Sequence, residues 1–508
     1  MLRHLTAVFA RLAPAVAALP AGLAVLLGTG ETHAAIPENR VLLVYNSQNA
    51  ESLAVRDLYV AAHPTVIQFD LNDADLASRA APGYGGITRA IYVNQIRNPI
   101  VNFINGVTPP GPDRSQTIIA IATTRGLPAR IDGGFDEFNF NSTFSSVESE
   151  LSLLQQDMEA NGSGSLTRRY YAQVRNPYYL SLNQAITTFS RANIKTQRTF
   201  TRVTFTPEIE TWTVTGLTAG DLYLVCRLDA APSPGHTALE NIDSLITRSR
   251  TLVVGRCAVQ SFFDRWSCAA LDDDGLGGTY PSRQDYTNAR NALNTAGFIA
   301  ALDTTFVFFS GVNLPDQLRP VLALGSYGEN HSLNGCGDNP AGNGDYIQTY
   351  NFNPAASFIA FESWSGNSLV DGTQRGGQQQ ALDFISQGGS FTIGSVSEPF
   401  TIFIPRLEFL AQNLYLNNLS FAEAAYTSIP GLSWQQTPIG DPLAQIIVVN
   451  QGLTDLNADG VTDVRDVYQL SETPGDVTCD SAFTGADTEF MRTRARANEA
   501  ADVAVAGP

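Results

Sequence analysis

The sequence predicts an α/β protein built on a mainly parallel sheet with helices on both faces. Three observations carry the prediction. Short runs such as Arg40-Val-Leu-Leu-Val-Tyr-Asn46 are apolar at consecutive rather than alternate positions, as strands buried on both faces are. Amphipathic segments separate these runs, and parallel strands need such crossovers. With 508 residues, 44% hydrophobic and 16% charged, the chain is long enough to bury a large core and too apolar to be a disordered polymer.

In chain order, the strand at 40–46 leads into a helix at 51–62 with apolar Leu53, Leu58 and Val60. A strand at 66–71, a helix at 87–104, a strand at 117–124 and a helix at 147–158 follow, the last capped by Ser145 with Glu148 three positions on. Later strands are expected at 223–228, 251–255, 305–309, 321–324, 357–361 and 390–394, and a final one at 444–449. Segment 198–217 alternates polar and apolar residues, so it is expected as an antiparallel hairpin inserted into the body, either a substrate-facing flap or an edge shield.

The first 35 residues differ from the rest. Arg3, His4 and Arg11 precede or open the apolar run 12–27, and Thr32-His33-Ala34 then supplies small residues at a cleavage site. Pro14 and Pro20 interrupt a run already shorter than the roughly 20 residues of a spanning helix. Residues 1–35 are therefore expected to be a secretory signal, with no transmembrane segment after its removal and a secreted, extracellular or periplasmic destination. Thirty-one basic against 49 acidic residues give a net charge of −18, a field that repels nucleic acid. Five cysteines stand at 226, 257, 268, 336 and 479; Cys257–Cys268 is the first expected bridge and Cys226–Cys336 the next, with reduced, buried thiols as the alternative.

The strongest chemical signal lies near the C-terminus. Residues 455–466 place oxygen donors Asp455, Asn457, Asp459, Asp463 and Asp466 at positions 1, 3, 5, 9 and 12 of a twelve-residue loop, with Gly460 sixth and the Val461 carbonyl available at the seventh. Ca2+ is a hard cation that takes six to eight oxygens, and this spacing wraps one ion. A second copy starts 21 residues on, with Asp476, Thr478, Asp480, Thr484 and Asp487 in the same positions and Ser481 in place of the glycine. Each loop leads into a short helix, carrying Val467 and Leu470 or Phe490 and Met491, and the two helices are expected to bury each other's faces.

Residues 453–494 thus resemble a type I dockerin, a duplicated loop–helix calcium module. The resemblance implies a small all-α module that docks onto a cohesin-like scaffold protein. Positions 10 and 11, which read the partner in that family, hold Val464-Arg465 and Gly485-Ala486 here instead of the usual hydroxyl residues. The expected organisation is a signal at 1–35, an α/β domain at 36–450, a calcium-binding module at 451–494 and a disordered tail at 495–508.

The body also carries Asn39-Arg-Val-Leu-Leu-Val-Tyr-Asn46, Thr123-Thr-Arg-Gly-Leu-Pro128, Ser146-Val-Glu-Ser-Glu-Leu151, Arg227-Leu-Asp229, Ser397-Glu-Pro399, Ser433-Trp-Gln-Gln436 and Gly440-Asp-Pro442. These resemble an uncharacterised family of exported bacterial proteins whose architecture is similar to the caspase-like fold of gingipain-type cysteine peptidases. In that fold a histidine follows one parallel strand and the nucleophile the next, which makes His331, with Cys336 or Ser363, the candidate pair. A second enzymatic reading uses strand-end carboxylates, Glu329, Glu362 and Glu398, for polysaccharide cleavage, with Trp364 and Tyr327 to stack on sugars. The substrate would be peptide or polysaccharide accordingly. A third reading is a binding protein without catalysis, displayed through its dockerin-like module.

Overall fold

The computed structural model describes residues 35–80, 86–132, 144–156, 172–205, 210–264, 281–305, 309–314, 316–326, 345–361, 364–371, 380–397, 404–457, 461–480 and 482–505. Ten strands form the central sheet: β1 (Val41–Tyr45), β2 (Ile67–Asp70), β3 (Ala120–Thr124), β4 (Leu224–Leu228), β5 (Gln260–Asp264), β6 (Ile299–Asp303), β7 (Val321–Ser326), β8 (Phe352–Ala360), β9 (Phe391–Ser395) and β10 (Gln436–Ile439). Their spatial order is β6-β5-β7-β8-β9-β10-β4-β3-β1-β2. Every residue of β1, β3, β4, β5 and β7 is buried, because helices cover both faces, and this is why their sequences run apolar without alternation.

The sheet is two parallel blocks that run in opposite directions. Strands β1 to β4 are mutually parallel, as are β5 to β9. Strand β10 joins them by lying parallel to β4 and antiparallel to β9. The carboxyl ends of the two blocks therefore emerge on opposite rims. At the seam, backbones touch: a side chain on Gly394 of β9 would meet the Gly366 Cα at 2.8 Å.

Local chemistry sets the elements. The helix Ala50–Ala62 is capped by Asn49, whose side chain accepts from Ser52 N–H, and the helix Ala238–Ser249 by a reciprocal Thr237/Glu240 box. The helix expected at 87–104 starts at Arg89 and widens into a π segment, Tyr92–Arg97, just before Pro99, which has no N–H to donate. The cap of Val147–Leu151 is Ser146, one residue later than expected.

The hairpin is present as Thr199–Phe205 against Glu210–Thr215. It belongs to a four-stranded side sheet with Ala172–Arg175 and Gly431–Leu432. The strands expected at 251–255 and 444–449 do not enter the central sheet; as Leu252–Cys257 and Ile446–Gly452 they pair with each other in a separate parallel ribbon. Two central strands, β5 and β6, had no counterpart in the expected set. The strand expected at 305–309 falls partly outside the described residues, and Phe309 stacks on Phe262 of β5 with ring centroids 3.9 Å apart.

Beyond the ribbon, the helices Val464–Glu472 and Gly485–Val505 enclose a small core of Leu470, Val477 and Met491, flanked by Leu456, Val467 and Phe490. The second helix runs through the segment expected as a tail, since its Ala- and Arg-rich sequence favours helix; Ala495 is buried and Asn498 donates to the Thr462 carbonyl at 2.8 Å. The expected cysteine pairing is overturned: Cys257 bonds Cys479, and Cys226 is a free thiol buried in β4. Among the described residues, no helix is long and apolar enough to cross a membrane.

Candidate functional site

Three polar constellations stand out: one at the seam, one along a sheet rim and one in the C-terminal module. At the seam, Arg227 of β4 is buried with Glu148 and Asp229. Its guanidinium reaches Glu148 Oε1 at 3.0 Å, Asp229 Oδ2 at 3.1 Å and the Leu127 carbonyl at 2.5 Å. Glu148 also accepts from Thr123 at 2.8 Å and Thr437 at 3.4 Å, and Asp229 accepts from Arg125 at 2.8 Å. Burial works against the Arg227 charge, but the two carboxylates outweigh it and push its pKa up.

Around this centre gather segments far apart in the chain. Ser146 Oγ donates to the Gln436 carbonyl at 2.7 Å, Trp434 N–H to Ser149 Oγ at 3.1 Å, Ser433 Oγ to Glu150 at 2.5 Å, and Gly440 N–H to the Arg227 carbonyl at 3.0 Å. The motif segments at 123–128, 146–151, 227–229, 433–436 and 440–442 thus meet in one place. Arg227 and Glu148 side chains are 1% and 0% exposed, which leaves a substrate no access. The cluster is a structural weld.

The weld extends to a histidine. Asp441 accepts from Tyr59 at 3.0 Å and contacts His63 Nε2 at 3.0 Å, while His63 Nδ1 meets Glu38 at 3.1 Å. Burial lowers the imidazole's pKa, but the hydrogen bonds and charges of Asp441 and Glu38 together hold it above the ordinary value.

The rim formed by the carboxyl ends of β5 to β9 is where the catalytic candidates attach. His331 and Cys336 follow β7, and Glu362 and Ser363 follow β8, its parallel neighbour; Glu398 follows β9. All five, with Glu329 and Tyr327, lie outside the described residues. Trp364, half-buried with a left-handed φ of 61°, donates its N–H to the Ser397 carbonyl at 3.0 Å, tying the end of β8 to the end of β9. Sequence reasoning missed Asp264, which is buried at the end of β5 in register with Asp303 of β6. Burial, followed by the charge of Asp264, raises the pKa of Tyr350, which stands just before β8.

In the module, the twelfth-position carboxylate closes both loops in the same way. Asp466 Oδ1 accepts from Leu456 and Asn457 N–H at 2.7 and 3.1 Å, and Oδ2 from Asp463 N–H at 2.8 Å. Asp487 Oδ1 accepts from Val477 and Thr478 N–H at 2.8 and 2.9 Å, and Oδ2 from Thr484 N–H at 2.7 Å. Asp487 is held down at about 2, because these donors outweigh its desolvation. Oxygens of Asp476, Asp480 and Asp487 lie within 4.8 Å of one another, which is the spacing of ligands around one cation at about 2.4 Å. These three carboxylates are the residues that could hold a cation, and the Thr478 and Thr484 hydroxyls donate to Asp487 beside them. In the first loop Asp455, Asn457, Val461, Asp463 and Asp466 are described and Asp459 is not; Asp463 turns to Arg465 at 2.6 Å. Arg465's hydrogen bonds lower the Asp463 pKa.

No protein-family model matches the chain, and no curated protein matches it. Among solved structures it is similar to gingipain R, described as an Arg-specific cysteine proteinase, with a TM-score of 0.40 and 10% identity over 82% of this chain and 81% of that one. The α/β assignment rests on the sheet described above.

Two outcomes follow from the weld. Glu148→Leu leaves a buried guanidinium short of a partner and is expected to cost about 3–5 kcal/mol in urea unfolding, with much of it restored in Glu148→Leu/Arg227→Met; a loss under about 1 kcal/mol would contradict the role assigned to the pair. His63 contributes stability in full below its unfolded pKa, near 6.5, and loses it as pH rises through the higher folded value. Urea midpoints of wild type and His63→Gln should therefore differ most at acidic pH and converge in alkali; a constant gap would contradict the ionic clamp.

Proposed function

We propose that this is an exported calcium-binding protein whose paired C-terminal loops tether the α/β body to a scaffold or cell surface through a cohesin-like partner. The observation that carries the reading is the repeat of one closing geometry: carboxylates 21 residues apart collect N–H groups from the second, third and ninth positions of their own loops. In the second loop the carboxylates of Asp476, Asp480 and Asp487 are close together, and a divalent cation would relieve their mutual repulsion. The Cys257–Cys479 bond suits an oxidising compartment. On the first module helix Val464 and Tyr468, 49% and 69% exposed and one turn apart, offer an apolar face to a partner.

A hydrolase reading of the body has one observation in its favour. β7 and β8 are adjacent and parallel, so the loops bearing His331 and Ser363 leave the sheet on one rim, as a histidine and a nucleophile on successive strands require. Covalent labelling by a peptidyl electrophile that vanishes in Cys336→Ala or Ser363→Ala would support a peptidase; sugar release lost in Glu362→Gln would support a polysaccharide hydrolase; silence in both leaves the tethered binding protein.

Calorimetric titration of the full chain with Ca2+ alone is expected to give binding heat, and Asp476→Ala/Asp487→Ala to abolish the event due to the second loop. A flat titration of wild type would overturn the calcium reading.

A further inference from the structure

The body and the C-terminal module have separate apolar cores. Two links between them stand out among the described residues. One is the backbone: Ile446–Gly452, paired along its length with Leu252–Cys257, runs directly into the module. At the end of that strand Gly452 donates its N–H to the Val477 carbonyl at 2.9 Å, so close that a side chain there would meet the Asp476 carbonyl oxygen at 2.7 Å. The other point is covalent. Cys257 closes the partner strand and Cys479 occupies the fourth position of the second loop, with a left-handed φ of 57° and its Cα 5.9 Å from that of Cys257.

A unit with its own core, held at a strand end and by a cross-link beside it, has a fixed orientation; with the cross-link gone, the peptide after Gly452 becomes a hinge. We propose that the Cys257–Cys479 disulfide is a redox latch that fixes the module against the body when oxidised and lets it swing when reduced. Both cysteines are partly exposed, so a dithiol reductant has access to them. One thiolate of the reductant attacks a sulfur of the bond, forming a mixed disulfide and releasing the other cysteine as a thiolate that takes up a proton. The second thiol of the reductant then displaces the remaining cysteine; the protein gains two electrons and two protons, and the reductant leaves as a disulfide. Cys226, fully buried within β4, is out of reach of this exchange.

The latch makes the tether stiff outside a reducing environment and flexible within one, which sets how the body is displayed to whatever the module holds. It does not depend on calcium and stands or falls separately from that reading. The test is small-angle X-ray scattering of the full chain without its first 35 residues, oxidised, treated with dithiothreitol, and as Cys257→Ser/Cys479→Ser. Amide hydrogen exchange at Leu470 and Met491 is followed in parallel. The reduced chain and the double variant are both expected to show a larger radius of gyration and maximum dimension than the oxidised chain, with the two amides still protected. Superimposable profiles in all three states would overturn the latch. So would loss of amide protection in the variant, because the bond would then hold the module's fold rather than its orientation.

Discussion

The fold depends on one seam. Two blocks of parallel strands run in opposite directions and meet where β10 lies parallel to β4 and antiparallel to β9. Parallel and antiparallel ladders have different hydrogen-bond spacings, so the backbone alone specifies the junction weakly. Bonds around Arg227 add to it: Thr437 of β10 donates to Glu148, the partner of Arg227, at 3.4 Å, and the Gly440 N–H donates to the Arg227 carbonyl at 3.0 Å. A buried guanidinium has to be paired, and its partners come from the helix at 147–151, the turn after β3 and the chain just beyond β4 itself. Two arginines, 125 and 227, face Glu148 and Asp229 in this interior, so the charges there balance.

That constraint explains why motifs scattered over more than 300 residues belong together. Thr123, Ser146, Glu148, Arg227, Ser433, Gln436 and Gly440 each make a hydrogen bond to another of these segments in the interior. The motif residues at the seam are buried, whereas Asp264 lies at the carboxyl end of β5 within the second block.

Much of the sheet was legible because its strands are short apolar runs: Val41–Tyr45, Leu224–Leu228 and Phe391–Ser395 stand where those runs stand. Gln260–Asp264 was not, since only Phe262 and Phe263 are apolar in it, and Ile299–Asp303 is an edge strand with an exposed isoleucine. The direction of the second block was invisible, because nothing in a strand's composition records which way its neighbour runs. The polar motif Ser146-Val-Glu-Ser-Glu gives no sign of its burial, yet Glu148 and Glu150 are buried; composition does not distinguish a paired interior charge from a solvated one. The two loops closed by Asp466 and Asp487 stand at the spacing read from the sequence. The cysteine pairing was not, as its members are 222 residues apart and local proximity favoured Cys268.

If Arg227 and its carboxylates make one cooperative unit of the two blocks, their core amides must open together. Native-state hydrogen exchange over a urea series measures this directly. Amides of Leu42 and Val225 in the first block and of Phe358 and Ile393 in the second are expected to converge on a single opening free energy with one urea dependence. Two distinct opening energies, with one block exchanging while the other stays protected, would contradict the account.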